Sequence, residues 1–332
     1  MSADNFHERY LLARYPSGGV AVDLQSGNYY RLNGSAALVC EALRDGHAVE
    51  EQVASALRVP AETATQIVAD VVATLAGPAV HDTPQGSYHF YPAIGGGYEL
   101  RHGVKTVLEV EAKSFDIRQP THHETRSEEQ LELYARALAP KLLFQRGVTV
   151  LHASSCITAQ GLIAFAGMSG AGKTTTARAF ATAGAQLVSE DLLVLLPDAK
   201  EPRVYLEGEN FAHTWAREIA AALIENPGGS ISAEGLRGPV GGETQKIGKL
   251  LFLDRSRRMG NAMIGRALDE PDALVAIMTH DFLGALEPGA WRKFFASAVD
   301  LVAKIPTEEV SIPDGASRLP EVAAAYIAKS TS

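Results

Sequence analysis

Residues 167–174 spell Gly-Met-Ser-Gly-Ala-Gly-Lys-Thr, which fits the phosphate-binding pattern G-x-x-x-x-G-K-[ST]. An unbroken apolar run, 162–166, precedes this octapeptide, and an alanine-rich segment follows it. A buried strand, a glycine-rich turn and a helix are therefore expected in that order. Because such a unit needs a sheet with helices packed against it, the chain is predicted to be an α/β protein.

Each part of this octapeptide has a physical task in holding a polyphosphate. Glycines let main-chain N–H groups approach phosphate oxygens, and the N-terminus of the following helix adds partial positive charge. Lys173 is expected to reach the β- and γ-phosphates, and the Thr174 hydroxyl to bind Mg²⁺. We predict a site for ATP and Mg²⁺ formed by Gly167, Ser169, Gly170, Ala171, Gly172, Lys173, Thr174 and Thr175.

A second strand pattern, 185–189, ends at the acidic pair Glu190-Asp191. Carboxylates that follow a strand soon after a phosphate-loop helix lie where a metal ion and an attacking nucleophile meet. We therefore predict that Glu190 and Asp191 bind the metal together with Thr174.

The segments 151–155, 167–175 and 187–191 together resemble the HPr kinase/phosphorylase-like family of P-loop kinases, which phosphorylate serine on a protein or peptide. The resemblance implies a P-loop kinase core over about 86–328. It places His152 near the γ-phosphate and the acceptor, although a structural core histidine is an equally good interpretation. The family usually has two aspartates where this chain has Glu190 and Asp191. The resemblance implies that one of this pair is the catalytic base, and the glutamate at the first position leaves open which of the two accepts the proton. Arg237 or Lys246 could steady the transferred phosphoryl group, but a solvated basic loop is the simpler interpretation of either.

The N-terminal segment has a different pattern. Residues 10–32 alternate apolar side chains with turn sequences, as in a small β-meander, and three helical patterns follow to about residue 76. This order, with the phrases 22–24 and 27–33, resembles the PqqD-like family of small winged-helix modules that recognise the leader of a ribosomally made precursor peptide. The resemblance implies that the leader adds as a strand beside the third strand and packs against the third helix. It implies peptide contacts at Asn28, Tyr29, Tyr30, Arg31, Leu32, Ile67 and Val71.

Charge and composition restrict the partners. The formal net charge is −9, and residues 1–85 contain ten acidic side chains, five arginines and no lysine. Such a segment is a poor phosphate binder, so no nucleic-acid partner is expected, whereas a winged helix used only for dimerisation or packing stays open. The chain has no apolar run of membrane-spanning length, no secretory core and only two cysteines. These features predict a cytoplasmic protein with no membrane partner and no disulfide framework.

These observations predict two domains: a PqqD-like winged-helix α+β domain over 1–85 and an HPr kinase-like P-loop kinase domain over 86–332. The predicted function is an ATP-dependent kinase that phosphorylates a hydroxyl, expected to be a serine, of a precursor peptide recruited through its leader. Tethering the leader would raise the local concentration of the core peptide beside ATP. An ATP-binding peptide chaperone or scaffold without transfer and a small-molecule kinase are the alternatives, and a homo-oligomer is left open.

Overall fold

A computed structural model of the chain describes residues 3–46, 48–76, 88–93, 97–102, 105–111, 116–120, 126–145, 148–168, 170–196, 200–232, 242–254, 262–279, 288–313 and 318–329. The helices in these ranges are α1 (Ala3–Arg9), α2 (Gly34–Asp45), α3 (Val49–Leu57), α4 (Ala61–Ala76), α5 (Glu128–Gln145), α6 (Lys173–Thr182), α7 (Gly208–Glu225), α8 (Glu270–Thr279), α9 (Pro288–Lys304) and α10 (Leu319–Lys329).

The strands in the same ranges are β1 (Tyr10–Tyr15), β2 (Gly18–Asp23), β3 (Tyr29–Leu32), β4 (Tyr88–Pro92), β5 (Tyr98–His102), β6 (Lys105–Val110), β7 (Asp116–Arg118), β8 (Val150–Leu151), β9 (Ala153–Thr158), β10 (Gly161–Ala166), β11 (Gln186–Ser189), β12 (Leu193–Val194), β13 (Arg203–Tyr205), β14 (Ser230–Ser232), β15 (Thr244–Asp254), β16 (Ile264–Ala267) and β17 (Thr307–Ser311).

The chain forms two compact units. The first unit comprises Met1–Pro84, Ala267–Thr279 and Leu286–Ala303, and the second comprises Gln85–Arg266, His280–Ala285 and Lys304–Ser332. Helix α8 and nearly all of α9 thus belong to the same compact unit as the N-terminal segment. The domain bounds 1–85 and 86–332 stay a prediction from the sequence. The first unit is discontinuous in sequence, because the chain leaves it near residue 84 and returns to it at residue 267.

The first unit contains an antiparallel sheet with the strand order β1-β2-β3. Helices α2, α3 and α4 enclose a core with one face of this sheet, and buried members of that core include Ala21, Leu32 and Val68. Asn33 begins α2 as its N-cap, since its side chain accepts a hydrogen bond of 2.8 Å from the Ala36 N–H. The predicted order of three strands followed by three helices is confirmed.

The second unit is built on a larger mixed sheet with the strand order β11-β9-β10-β15-β17-β16, and β13 also pairs with β15. Strands β10 and β15 are parallel, as are β15 and β17. Strand β9 is antiparallel to both β10 and β11, so β10 and β11 run in the same direction. The carboxyl ends of β10, β11 and β15 consequently lie at the same edge of the sheet, and the predicted α/β class with a small α+β domain before it is confirmed.

Two further parts of the second unit frame this sheet. Residues 88–118, where the sequence alternates only weakly, form strands β4–β7 of a five-stranded antiparallel sheet with β14. Helix α7 packs along α5; sequence reasoning missed α7 completely. Among the described residues, no helix is both long enough and apolar enough to cross a membrane.

Candidate functional site

The phosphate-binding loop leaves the buried strand β10 and enters α6. Gly167, Gly170 and Gly172 have φ angles of 145°, 76° and 96°, a region that side chains with a Cβ atom rarely adopt. A Cβ atom at Gly167 would also lie 3.0 Å from the Leu253 carbonyl oxygen of the neighbouring strand. Glycine is therefore required at these positions by backbone geometry as well as by the approach of a phosphate. Ser169, a predicted contact, lies outside the described residues.

Lys173 lies on the inner side of this loop. Its Nζ donates hydrogen bonds to the carbonyl oxygens of Gly167 at 2.9 Å and Met168 at 3.3 Å, and the residue is only 6% exposed. Burial lowers the pKa of the ammonium, while the negative charge of Asp191 opposes this shift. Among the described residues, the hydrogen bonds of this buried ammonium go to carbonyl groups, and phosphate oxygens would be stronger acceptors.

The first turn of α6 holds the main chain of the acidic pair. The Thr174 hydroxyl donates to the Glu190 carbonyl oxygen at 2.9 Å, and the Ser154 hydroxyl donates to the same carbonyl. Thr175 is exposed at the next position of the helix. The predicted metal ligand Thr174 is therefore joined directly to the segment that carries Glu190 and Asp191.

The two carboxylates of the acidic pair face different partners. Glu190 accepts two hydrogen bonds from Arg178, at 2.6 and 2.8 Å, and this ion pair lowers the pKa of Glu190. Asp191 lies 3.0 Å from Nε2 of His152, and its side chain is 64% exposed. A hydrogen bond from His152 lowers the pKa of Asp191, and the charge of Lys173 lowers it further. The structure thus brings Asp191, His152 and Lys173 together.

Helix α7 adds two titratable residues that sequence reasoning missed. Glu209, in its first turn, accepts a hydrogen bond of 2.7 Å from the Glu190 N–H, and burial raises the pKa of this carboxyl. His213 lies one turn further along, and burial lowers its pKa although Asp191 acts in the opposite direction. A helical period was available in the sequence at Ala212, Ala216, Ile219, Ala220 and Leu223, all of which are buried.

Strand β15 contains another signal that was missed. Its end, 250–254, is four apolar residues followed by Asp254, and it runs parallel to β10 with Ala166 opposite Phe252. Asp254 therefore lies at the same sheet edge as the phosphate-binding loop. Lys246 lies at the other end of this strand, eight residues or roughly 26 Å away, and forms an ion pair with Glu201. It is too distant to steady a phosphoryl group there; Arg237 lies outside the described residues.

The chemistry of this edge suits a phosphate and its metal ion. In the part of the chain that the structure describes, no group of three or more His, Cys, Asp or Glu side chains could hold a metal by itself. Mg²⁺ in nucleotide sites usually takes one or two protein ligands and completes its shell with water and substrate phosphates. The Thr174 hydroxyl and a carboxylate such as that of Asp191 fit that smaller ligand set.

A second candidate site is the outer edge of β3, the edge that faces away from β2 in the first unit. The Asp23 N–H donates to the Asn28 carbonyl oxygen at 2.7 Å, and the paired residues then alternate along the two strands. Tyr30 is consequently hydrogen-bonded to Ala21, whereas the main-chain groups of Tyr29 and Arg31 point outward from the sheet. These outward groups can bind the main chain of an extended peptide.

Apolar side chains of β3 and α4 lie on one side of this edge. Tyr30 is part-buried with Ile67 and Val71 of α4, and its hydroxyl donates to the Leu75 carbonyl oxygen at 3.3 Å. Leu32 is buried in the core below them. Three of the predicted peptide contacts, Tyr30, Ile67 and Val71, therefore belong to one partly buried apolar surface that extends from β3 to α4.

Comparison with known proteins identifies this N-terminal region. The family profile described as Coenzyme PQQ synthesis protein D (PqqD) matches residues 18–77. Residues 18–77 form a PqqD-like domain. The match covers β2, β3 and helices α2–α4, so the apolar surface from β3 to α4 belongs to the PqqD-like domain. Helices α8 and α9 lie outside the matched residues.

For the whole chain, a comparison with curated proteins finds no match. Among solved structures, the Hpr(Ser) kinase/phosphatase from Coxiella burnetii is similar at 13% identity and a TM-score of 0.29, over 55% of this chain and 99% of that one. The α/β class and the phosphate-binding loop rest on the chain's own strand order and φ angles, and this distant likeness adds nothing to them.

Proposed function

We propose that this protein is an ATP-dependent kinase that phosphorylates a serine hydroxyl of a ribosomally made precursor peptide, which it recruits through the leader. The observation that carries the proposal is the convergence of Lys173, Asp191 and His152 at one sheet edge, in a chain that also contains a PqqD-like domain. A phosphate-binding loop alone would support any nucleotide-dependent activity. The added proton acceptor favours phosphoryl transfer to a hydroxyl.

In the proposed reaction, bound Mg·ATP supplies the γ-phosphoryl group and the charge neutralisation of a metal ion. The main-chain N–H groups of the loop and the N-terminus of α6 would hold the phosphates, and the Lys173 ammonium would exchange its carbonyl partners for phosphate oxygens. The Thr174 hydroxyl oxygen would hold the metal ion through a lone pair, while its hydrogen can still donate to the Glu190 carbonyl. For Lys173, the exchange replaces neutral acceptors with charged ones, which strengthens its hydrogen bonds.

We assign the role of base to Asp191. Its carboxylate takes the proton of the acceptor hydroxyl as that oxygen bonds to phosphorus and the bridging oxygen leaves on ADP. His152 holds this carboxylate from one side at 3.0 Å, and the exposed remainder of the side chain stays open to a substrate. Glu190 is less suited to the role, because both of its carboxylate oxygens are engaged by Arg178.

We assign peptide recruitment to the PqqD-like domain. An extended leader would bind the outward main-chain groups of Tyr29 and Arg31 and place alternate side chains on the apolar surface beside Ile67 and Val71. Main-chain hydrogen bonds supply affinity in this mode, whereas the contacts with the apolar surface supply selectivity. Holding the leader on the same chain as the phosphate-binding loop raises the effective concentration of the acceptor serine.

The decisive experiment incubates the full chain with Mg·ATP and the short peptides encoded beside its gene, and follows intact mass. The expected product is a peptide that carries one additional phosphate on serine, formed by the native protein and not by Lys173→Ala. ATP binding without transfer to any of these peptides would instead identify a nucleotide-dependent scaffold. Transfer to small alcohols, with every peptide unchanged, would identify a small-molecule kinase.

A further inference from the structure

The outer face of the β1–β3 sheet is covered in this protein. All six residues of β2, Gly18–Asp23, are buried. Ala21 belongs to the core beneath α2–α4, so Val20 and Val22 point to the opposite face, where α8 contacts all three strands. A strand buried on both faces needs a layer on each. Helix α8 thus replaces solvent on the side of the PqqD-like domain that its own helices leave open.

Helix α8 also places polar groups along one side of the outer edge of β3. Arg31 Nε donates to Asp272 at 2.8 Å, and its terminal nitrogen lies 3.3 Å from Asp269. The Tyr29 hydroxyl is 2.7 Å from the hydroxyl of Thr279. Asp269 and Asp272 are 36% and 40% exposed at their side chains, so both carboxylates remain accessible to a ligand.

The first unit as a whole carries almost all of the protein's negative charge. Its three segments contain 15 acidic and 7 basic residues, a net charge of −8, whereas the second unit contains 24 acidic and 23 basic residues, a net charge of −1. A potential of this sign attracts basic ligands and repels acidic ones.

We propose that the peptide bound along β3 alternates apolar residues with lysine or arginine. Side chains of an added strand point in turn to the two faces of the sheet. Those on the α4 side would pack on the apolar surface beside Tyr30, and those on the α8 side would meet the carboxylates of Asp269 and Asp272. The inference rests on the proposed docking of a leader at this edge, and it adds the chemical pattern of that leader.

The test is a selection of random twelve-residue displayed peptides against the immobilised full chain. A double variant, Asp269→Asn with Asp272→Asn, removes both carboxylates while an Asn at 269 can still cap α8, since the native Asp269 accepts the Asp272 N–H. The matched control, Glu50→Gln with Glu51→Gln, removes the same charge from exposed positions of α3. Tyr29→Pro removes the outward N–H of β3, whereas Tyr29→Ala keeps it, so a lower peptide affinity in the first variant than in the second indicates binding at this edge.

Selected peptides are expected to carry Lys or Arg at every second position, with apolar residues between them. Their affinity should fall at least tenfold in the Asp269/Asp272 variant and less than twofold in the control, and thermal melting confirms that each variant is folded. Peptides that bind at β3 but are neutral or acidic at the alternate positions overturn the inference and leave leader docking intact. If Tyr29→Pro weakens the binding of none of the selected peptides, the proposed docking of a leader at β3 is contradicted.

Discussion

At the scale of single residues, Lys173 is expected to decide whether nucleotide binds productively. Lys173→Ala removes the ammonium that the loop holds at Gly167 and Met168, so we expect ATP affinity to fall at least tenfold, about 1.4 kcal/mol, and transfer to be lost. Isothermal titration and a transfer assay measure the two effects. The exposed residue Lys105 provides the control, and an unchanged ATP affinity in Lys173→Ala would remove the loop from the reaction.

The acidic pair offers a second test at this scale. Asp191→Asn should reduce turnover by about 10²–10⁴-fold while ATP affinity changes only a few-fold, because a base acts mainly in the transition state. Glu190→Gln should have a smaller effect, since Arg178 occupies its carboxylate. Single-turnover rates and ATP titrations of both variants separate the roles. Equal losses in the two variants would contradict the assignment of Asp191 as the only base.

Glu209 is a positioning residue, because it acts through the main chain of the acidic pair. Glu209→Ala removes the acceptor for the Glu190 N–H and should lower turnover about tenfold or more, with a raised Mg²⁺ requirement. Glu209→Gln keeps an oxygen acceptor and should recover most of that loss. Metal titrations of the turnover rate distinguish the two variants, and identical behaviour would show that the hydrogen bond is unimportant.

At the scale of elements, a part-buried charge pair joins the hairpin β1–β2 to α1. Arg9 donates three hydrogen bonds to the carboxylate of Asp23, which is 1% exposed. Burial alone would raise the pKa of Asp23, but the hydrogen bonds from Arg9 and the Gln25 N–H more than offset this and lower it. The carboxylate therefore stabilises the folded chain when it is ionised.

Stability is accordingly expected to depend on pH through Asp23. A folded-state pKa below the unfolded value contributes stabilisation that is fully present above the unfolded pKa, near 4, and is lost as pH falls through the folded value. Asp23→Asn should destabilise the protein at pH 7, and the difference from the native chain should shrink on acidification. Urea unfolding at several pH values measures this. A difference that stays constant with pH would exclude the ion pair as its source.

At the scale of the whole molecule, both proposed sites must act on one substrate. Tyr29→Pro removes an outward N–H from β3 without breaking a bond to β2, and Tyr29→Ala keeps that N–H. Tyr29→Pro should raise the apparent KM for the full precursor at least tenfold, whereas the rate with a saturating leaderless peptide should change little. Steady-state kinetics with both peptides provide the measurement. Equal effects on the two substrates would mean that the leader does not bind at β3.

The discontinuous first unit affects how this test is designed. Residues 1–85 alone would leave the outer face of β2 uncovered, with Val20 and Val22 exposed where α8 otherwise packs. Exposed apolar area of that kind destabilises a small domain and favours aggregation. Binding measurements therefore require the full chain, in which 267–303 is present.

The sequence by itself determined the features that depend on neighbouring residues. The apolar run before Gly167, the glycines and Lys173 specify a strand, a left-handed turn and a helix, because each is a local preference of the backbone. The same holds for the meander and the three helices of the PqqD-like domain. The acidic pair after β11 was also found from its position alone.

Only the tertiary structure decided which distant residues meet. Arg178 forms an ion pair with Glu190, and His152 contacts Asp191. Two adjacent carboxylates that look alike in sequence therefore have different surroundings. Glu209 reaches the same turn from a helix that composition did not reveal. Helix α8 joins the N-terminal unit across some 240 residues of chain, since Arg31 and Asp272 are 241 positions apart. Such contacts follow from packing and from the burial of apolar faces, which local sequence patterns do not encode.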